Sequence, residues 1–275
     1  KMKIIGINAY HADSSACILI DGELITAVEE ERFNRIKHWA GFPIESIKHC
    51  LEETELKISD IDQISINIDP KANFLKKIIF LIKHRPNLNL ILQRIKKKNK
   101  INSIEEIINN EFDNAKFKGK INNIEHHYAH LSSAFHVSPY DEACVLSVDG
   151  FGDFASTAWG YGVNTDIKID DKIFYPHSLG IFYQALTQFL GFKNYGDEYK
   201  IMGLAPYGKP KYVEKLRDMI LIKNKGNFEL NLDYFKFHKE NFNYRWENGK
   251  VEIEDLYTNK ILDLLGPDRK KEEAL

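Results

Sequence analysis

The order of apolar and polar positions divides the chain into readable elements. Lys3 to Asn8 (KIIGIN) predicts a buried strand, Ala9 to Ser15 a polar turn, and Ala16 to Ile20 a second strand. Asp21-Gly22 is a two-residue hairpin signal, and Glu23 to Val28 follows as a third strand, so the chain opens on a β-meander. From Ile44 to Glu53, Ile44, Ile47 and Leu51 keep helical spacing behind Pro43, which suits the opening of a first helical turn. Gln63 to Ile68 alternates Ile64, Ile66 and Ile68 with polar residues, the period of a strand. Lys71 to Lys120 is rich in Lys, Ile and Asn, apolar at helical spacing and broken by Pro86, which predicts a largely helical insertion. Strand character returns at Ile121 to Glu125, helical character at His127 to His136, and a buried strand at Ala143 to Val148.

At this point the opening pattern repeats. An apolar strand ending Val148-Asp149-Gly150, a polar turn through Asp153 and a second strand Ser156 to Tyr161 echo Ile4 through Ile18. Duplicated strand–turn–strand units imply two similar lobes whose turns face one another across a cleft. The fold class this predicts is α/β, of the actin-like (ASKHA) kind, with duplicated β-meander-plus-helix lobes and a helical insertion. The first lobe would span 1–140 with its insertion at about 71–120, and the second 141–275. Leu179 to Leu190 is apolar at helical spacing, and Gly196 to Gly208 is a compact glycine-punctuated stretch. Beyond Lys209 short helices and strands alternate. The charged run Arg269 to Glu273 offers no final core element, so the second lobe reads as incomplete.

Bulk properties narrow the setting. With 275 residues, 43% hydrophobic and 28% charged, the chain can bury a large core and is not of disordered composition. A formal charge of −2 gives no global reason to expect nucleic acid or an anionic membrane as partner. Cys17, Cys50 and Cys144 are far apart and form no CxxC, which suits a reducing, cytoplasmic setting. No signal peptide follows Met2, Lys1 reads as an addition ahead of the natural start, and no apolar run approaches a membrane span.

The sharpest chemical feature is Glu125-His126-His127-Tyr128-Ala129-His130. Residues four apart share a helix face, so His126 and His130 can aim two imidazoles at one point. Asp149, at the end of the next strand, is a natural third ligand, and two His with one carboxylate suit Fe(II) or Zn(II). A His127–His130 pair at i, i+3 is the other arrangement, and the same residues also fit a polar helix start with exposed histidines. His11, in the first turn, is a candidate general base or hydrogen-bond donor, or a solvated turn residue. Lys37, in the charged run from Glu29 to His38, and Lys200 are candidate grips for phosphate or carboxylate, and the backbone of Gly150, Gly152 and Asp153 a candidate phosphate cradle. Each also fits an ordinary surface. The lysines from Lys76 to Lys98 read as the solvated side of amphipathic helices.

Four ordered stretches, "GINAYHADSSACILIDGELITAVEEERFNRIKH", "HHYAHLSSAF", "VLSVDGFGD" and "GDEYKIMGLAPYG", resemble the NodU/CmcH carbamoyltransferase family between Gly6 and Gly208. That resemblance implies an N-terminal, threonylcarbamoyl-transferase-like domain that is followed in the whole enzyme by a YrdC-like domain absent from this sequence. It implies carbamoyl phosphate and ATP as substrates, converted to carbamoyl-adenylate, and transfer of the carbamoyl group to a hydroxyl of a small-molecule or sugar acceptor. It implies His126, His130 and Asp149 as ligands of a metal, Fe2+ first and Zn2+ second, with a fourth ligand beyond Leu275. His11 would lie nearest the transferring group, and Lys37 and Lys200 would contact substrate or phosphate. The chain alone is then expected to be inactive in the overall reaction. A tRNA threonylcarbamoyl transferase and a non-catalytic ATP-binding module are the alternatives.

Overall fold

Alternating buried isoleucines build the first sheet. In the computed structural model, which describes residues 1–84, 104–112, 116–239, 244–247, 250–270 and 272–273, β1 (Lys3–Asn8) runs antiparallel to β2 (Ser15–Ile20). β2 pairs in turn with β3 (Glu23–Glu29) across Asp21 and Gly22, whose φ values of 53° and 88° are those of a tight hairpin turn. On its other side β1 pairs in parallel with β4 (Gln63–Ile66), and β4 with β5 (Lys120–Asn123), giving the order β3-β2-β1-β4-β5. Ile5, Ile18 and Ile64 are fully buried with Ile47 of helix α2 (Ile44–Glu53), which follows a single helical turn α1 (Glu31–Asn34).

Pro43 stands at the N-cap of α2 and offers no side-chain acceptor. Glu30 supplies one. Its buried carboxylate accepts from Ser46 N (2.8 Å), Ser46 Oγ (2.7 Å) and Glu45 N (3.2 Å), satisfying N–H groups that a helix start leaves open.

The chain divides into two compact units, Lys1–Ala72 with Pro86–Ala129 and Asn73–Arg85 with His130–Leu275. Of the expected insertion, α4 (Ile104–Glu111) belongs to the first unit and buries Ile104 and Ile108, one turn apart. Helix α3 (Phe74–His84) belongs to the second, where Phe80 packs edge-on against Phe154 and Tyr175 at centroid distances of 5.6 and 5.0 Å. The stretch 85–103, which holds most of the lysine-rich segment, lies outside the described residues.

The second unit is built on another meander, β6 (Glu142–Gly152), β7 (Ala155–Val163) and β8 (Asp166–Phe174), in that order. β6 does not end at Val148 as the sequence suggests. It continues to Gly152, and its register with β7 shifts between Val148 and Gly152. Helix α5 (His126–Phe135) leads into this unit and buries Leu131 and Phe135 with Val145 and Ala158. A Cβ at Gly162 would stand 2.5 Å from the Phe135 ring, so glycine there lets the end of α5 lie close on the sheet. Helix α6 (Leu179–Phe189) packs along β6.

Beyond α6 come α7 (Glu198–Leu204), α8 (Val213–Leu216), the ladders β9 (Ile220–Ile222) with β10 (Phe228–Leu230) and β11 (Tyr244–Glu247) with β12 (Lys250–Ile253), and α9 (Asn259–Leu265). From α8, β9, β10 and α9, Leu216, Ile220, Leu230 and Ile261 pack into a core with Ala185, Met219 and Phe235. No described helix is long and apolar enough to cross a membrane.

Candidate metal centre

Helix α5 fixes the first two side chains. The carboxylate of Glu125, the residue before the helix, accepts from Tyr128 N–H at 2.8 Å and closes its first turn. The helix begins at His126, so His126 and His130 stand one turn apart on one face, as their spacing requires. His126 is 5% exposed and His130 presents a side chain 48% exposed. His127 is fully buried, its ring edge-on to that of His126 at 5.6 Å.

Asp149 meets His130 from β6, with Oδ2 at 3.6 Å from Nε2. Its other oxygen, Oδ1, takes the N–H of Gly150 at 2.6 Å. The set of His126, His130 and Asp149 is chemically suited to a first-row metal: two imidazoles and a carboxylate, all able to offer lone pairs at neutral pH. The His126 ring fits the same role. Its Nδ1 lies 3.3 Å from the backbone carbonyl of Asn67, which orients the ring.

The backbone beneath Asp149 is held from α6. Ser178 is fully buried, and its hydroxyl reaches the carbonyls of Asp149 (2.9 Å) and Gly150 (2.8 Å) while accepting the N–H of Ile181 (3.1 Å) as the helix N-cap. These contacts accompany the break in the β6–β7 register. Two residues on, a Cβ at Gly180 would stand 2.6 Å from the Asp149 carbonyl and the Gly150 nitrogen. Sequence reasoning missed both residues, although a Ser directly before the apolar run of α6 is a readable cap signal.

His11 lies on the turn between β1 and β2, its ring 4.8 Å from that of His126. The turn is bent through left-handed backbone at Tyr10 (φ 61°) and Asp13 (φ 60°), conformations that non-glycine residues adopt only at a cost. It is tied to the segment after α1 by Tyr10 N to Gly41 O (3.1 Å), Ser14 N to Trp39 O (2.9 Å) and a His38–Asp13 contact of 2.9 Å. Lys37 is exposed on that segment.

The remaining candidates are engaged in the fold. The N–H of Gly150 is committed to Asp149, and Gly152 is buried and paired with Ala155. Asp153 and Phe154 turn with positive φ, and the Asp153 carbonyl accepts from Asn73 at 2.8 Å. Lys200 forms an ion pair of 2.5 Å with Asp197, itself 5% exposed and bonded to Asn194. That hydrogen bond raises the Lys200 pKa above its ordinary value, so the charge is already matched within the chain.

A family model and curated relatives both match most of the chain. Residues 3–273 match the model described as "Carbamoyltransferase N-terminus". The uncharacterized protein sll1178 of Synechocystis is 37% identical over 242 residues, covering 85% of this chain and 39% of that protein. Nodulation protein NolNO of Sinorhizobium fredii is 32% identical over 228 residues, covering 82% of this chain and 32% of that protein. The chain thus spans a third to two fifths of these relatives. Among solved structures, YeaZ from Pseudomonas aeruginosa superposes with a TM-score of 0.37 at 9% identity, over 64% of this chain and 68% of that one.

Proposed function

The chain belongs to the carbamoyltransferase family by its N-terminal region, and on that premise we propose that the protein moves a carbamoyl group from carbamoyl-adenylate to a hydroxyl of a small-molecule or sugar acceptor. Carbamoyl phosphate and ATP are the source of that intermediate. The observation that supports the reading most directly is the contact of His130 with Asp149, in a chain of this family whose helix α5 carries His126 one turn before His130.

His126, His130 and Asp149 would hold a divalent metal, Fe2+ first and Zn2+ second. Bound there, it supplies positive charge that stabilises phosphate oxygens of the adenylate and the AMP leaving group. His11, beside His126, accepts the proton of the acceptor hydroxyl on a neutral imidazole nitrogen. The hydroxyl oxygen forms the new bond to the carbamoyl carbon, the bond from that carbon to the adenylate phosphate oxygen breaks, and AMP leaves with the electron pair. Lys37, exposed on its segment, is an outer contact to phosphate. Lys200 joins it only by exchanging Asp197 for the incoming anion.

Metal analysis after anaerobic purification tests this centre. Near one equivalent of iron or zinc is expected in the wild type, and its loss in both His126→Ala and Asp149→Ala. A wild type that takes up no metal, or variants that retain it, would overturn the ligand assignment. For the reaction itself, the full-length protein should release AMP only when carbamoyl phosphate and an acceptor alcohol are both present. AMP release indifferent to carbamoyl phosphate would exclude carbamoyl transfer.

A further inference from the structure

Helix α3 stands on the second unit with its apolar side outward. Asn73 fixes its start by donating from Nδ2 to the Asp153 carbonyl at 2.8 Å, and the buried Phe80 pins its middle against Phe154 and Tyr175. Those contacts orient the rest of the helix. With Phe80 inward, the helical period carries Phe74, Leu75, Ile78, Ile79 and Ile82 to the far side, and all five are exposed, Leu75 at 73% and Ile82 at 71%. A surface helix ordinarily turns such a stripe toward the core, so α3 is inverted and leaves apolar surface in water. Lys76 borders the stripe, its Nζ 4.9 Å from the centroid of the Phe174 ring.

Charge and size decide what covers that face. The helix carries Lys76, Lys77 and Lys83 with no Asp or Glu, and the sequence holds no acid between Asp69 and Glu105 although the chain as a whole has a net charge of −2. A fitting surface is therefore apolar where it meets the stripe and anionic around it. A nucleic acid is anionic but buries no aliphatic stripe, and a second copy would set one basic helix against another. Five side chains are also far fewer than the roughly 20–30 residues a side that a stable protein interface uses. An acidic lipid surface supplies both properties and sets no minimum footprint. At about 16 Å the helix is too short to cross a hydrocarbon core of about 30 Å, and its length suits lying along the interface. We propose that α3 docks the protein on an anionic lipid surface, with Leu75, Ile79 and Ile82 at the acyl boundary and Lys76 and Lys77 among the headgroups. None of these residues belongs to the metal centre, so the two readings stand or fall separately.

The test is flotation of the 275-residue chain with vesicles of phosphatidylcholine alone and of phosphatidylcholine mixed with phosphatidylserine. The wild type should float with the mixed vesicles, come off as salt is raised, and stay behind with phosphatidylcholine alone. Leu75→Gln/Ile79→Gln should weaken partition by about a hundredfold or more, because each aliphatic side chain buried is worth about tenfold or more. Lys76→Gln should weaken it about fivefold, the effect of one charge close to an acidic surface. The stripe is exposed, so these variants should melt with the wild type. If the double variant does not, Ile82→Gln serves in its place, with a loss of about tenfold or more. A wild type that leaves the mixed vesicles unbound overturns the proposal. So does equal binding to the two kinds of vesicle, or binding that a folded Leu75→Gln/Ile79→Gln or Ile82→Gln leaves within twofold, since charge alone would then hold the protein. Sedimentation velocity adds a last outcome: a wild type that self-associates, and a double variant that is monomeric, would give the stripe to a second copy and overturn the lipid surface as its partner.

Discussion

Replacing Ser178 by alanine removes one oxygen that serves three backbone groups, and its effect can be worked from the structure. The buried hydroxyl caps α6 at Ile181 N–H, and its single hydrogen is shared between the carbonyls of Asp149 and Gly150. Loss of a serine N-cap costs about 1 kcal/mol. Leaving a carbonyl in this part-buried position without its donor costs about 1–3 kcal/mol more. A total of about 2–4 kcal/mol corresponds to a fall of roughly 5–15 °C in melting temperature for a unit of this size. Differential scanning calorimetry reads the fall directly. Because the same hydroxyl steadies the backbone of Asp149, metal affinity measured by chelator competition should drop alongside. A shift of less than about 2 °C with unchanged affinity would mean that the Asp149 carbonyl finds another donor as good as Ser178, and would refute the role given to it.

Two further outcomes follow from close approach and burial. Gly180→Ala would gain about 0.5–1 kcal/mol in an open helix, but here the new Cβ meets backbone atoms at 2.6 Å, so overpacking of about 1–3 kcal/mol should dominate and lower the melting temperature. A variant more stable than the wild type would contradict that packing. At pH 8 a single thiol, the exposed Cys144, should react quickly with Ellman's reagent, because burial raises the pKa of Cys17 and pushes that of Cys50 from 9.0 up to about 12. A raised thiol pKa means the folded state keeps its proton longer than the unfolded one. The contribution of Cys50 is therefore complete below about pH 9 and is lost toward pH 12, with a slope of up to about 1.4 kcal/mol per pH unit. Three fast thiols, or stability that stays flat on the alkaline side, would count against a buried Cys50.

Local periodicity made much of this fold legible. The isoleucine alternation of β1 and β4, the Asp21-Gly22 turn and the i, i+3, i+4 spacing of α2 each depend on neighbours in sequence, and they were readable there. So was the His126–His130 pair, since a helix alone fixes its geometry. What was hidden depends on contacts between distant segments. Nothing near Val148 announces that β6 runs on to Gly152, because the shift in its ladder accompanies contacts with Ser178, nearly thirty residues away. Helix α7 is seven residues long between Gly196 and Gly208, too short for a periodic signal. The engagement of Lys200 was within reach: Asp197 stands at i−3, the spacing of a helical ion pair.

The contact of Phe135 with Gly162 has a consequence for how such a centre can drift over generations. Phe135 lies five residues beyond His130 on the same helix, about 7.5 Å along its axis. Any side chain at position 162 would prise the aromatic ring off the sheet, and a stiff rod lifted at one end swings at the other. His130 would then move against Asp149 although neither residue had changed. A change at 135 or 162, positions that carry no reactive group at all, is thus expected to loosen the contact of His130 with Asp149.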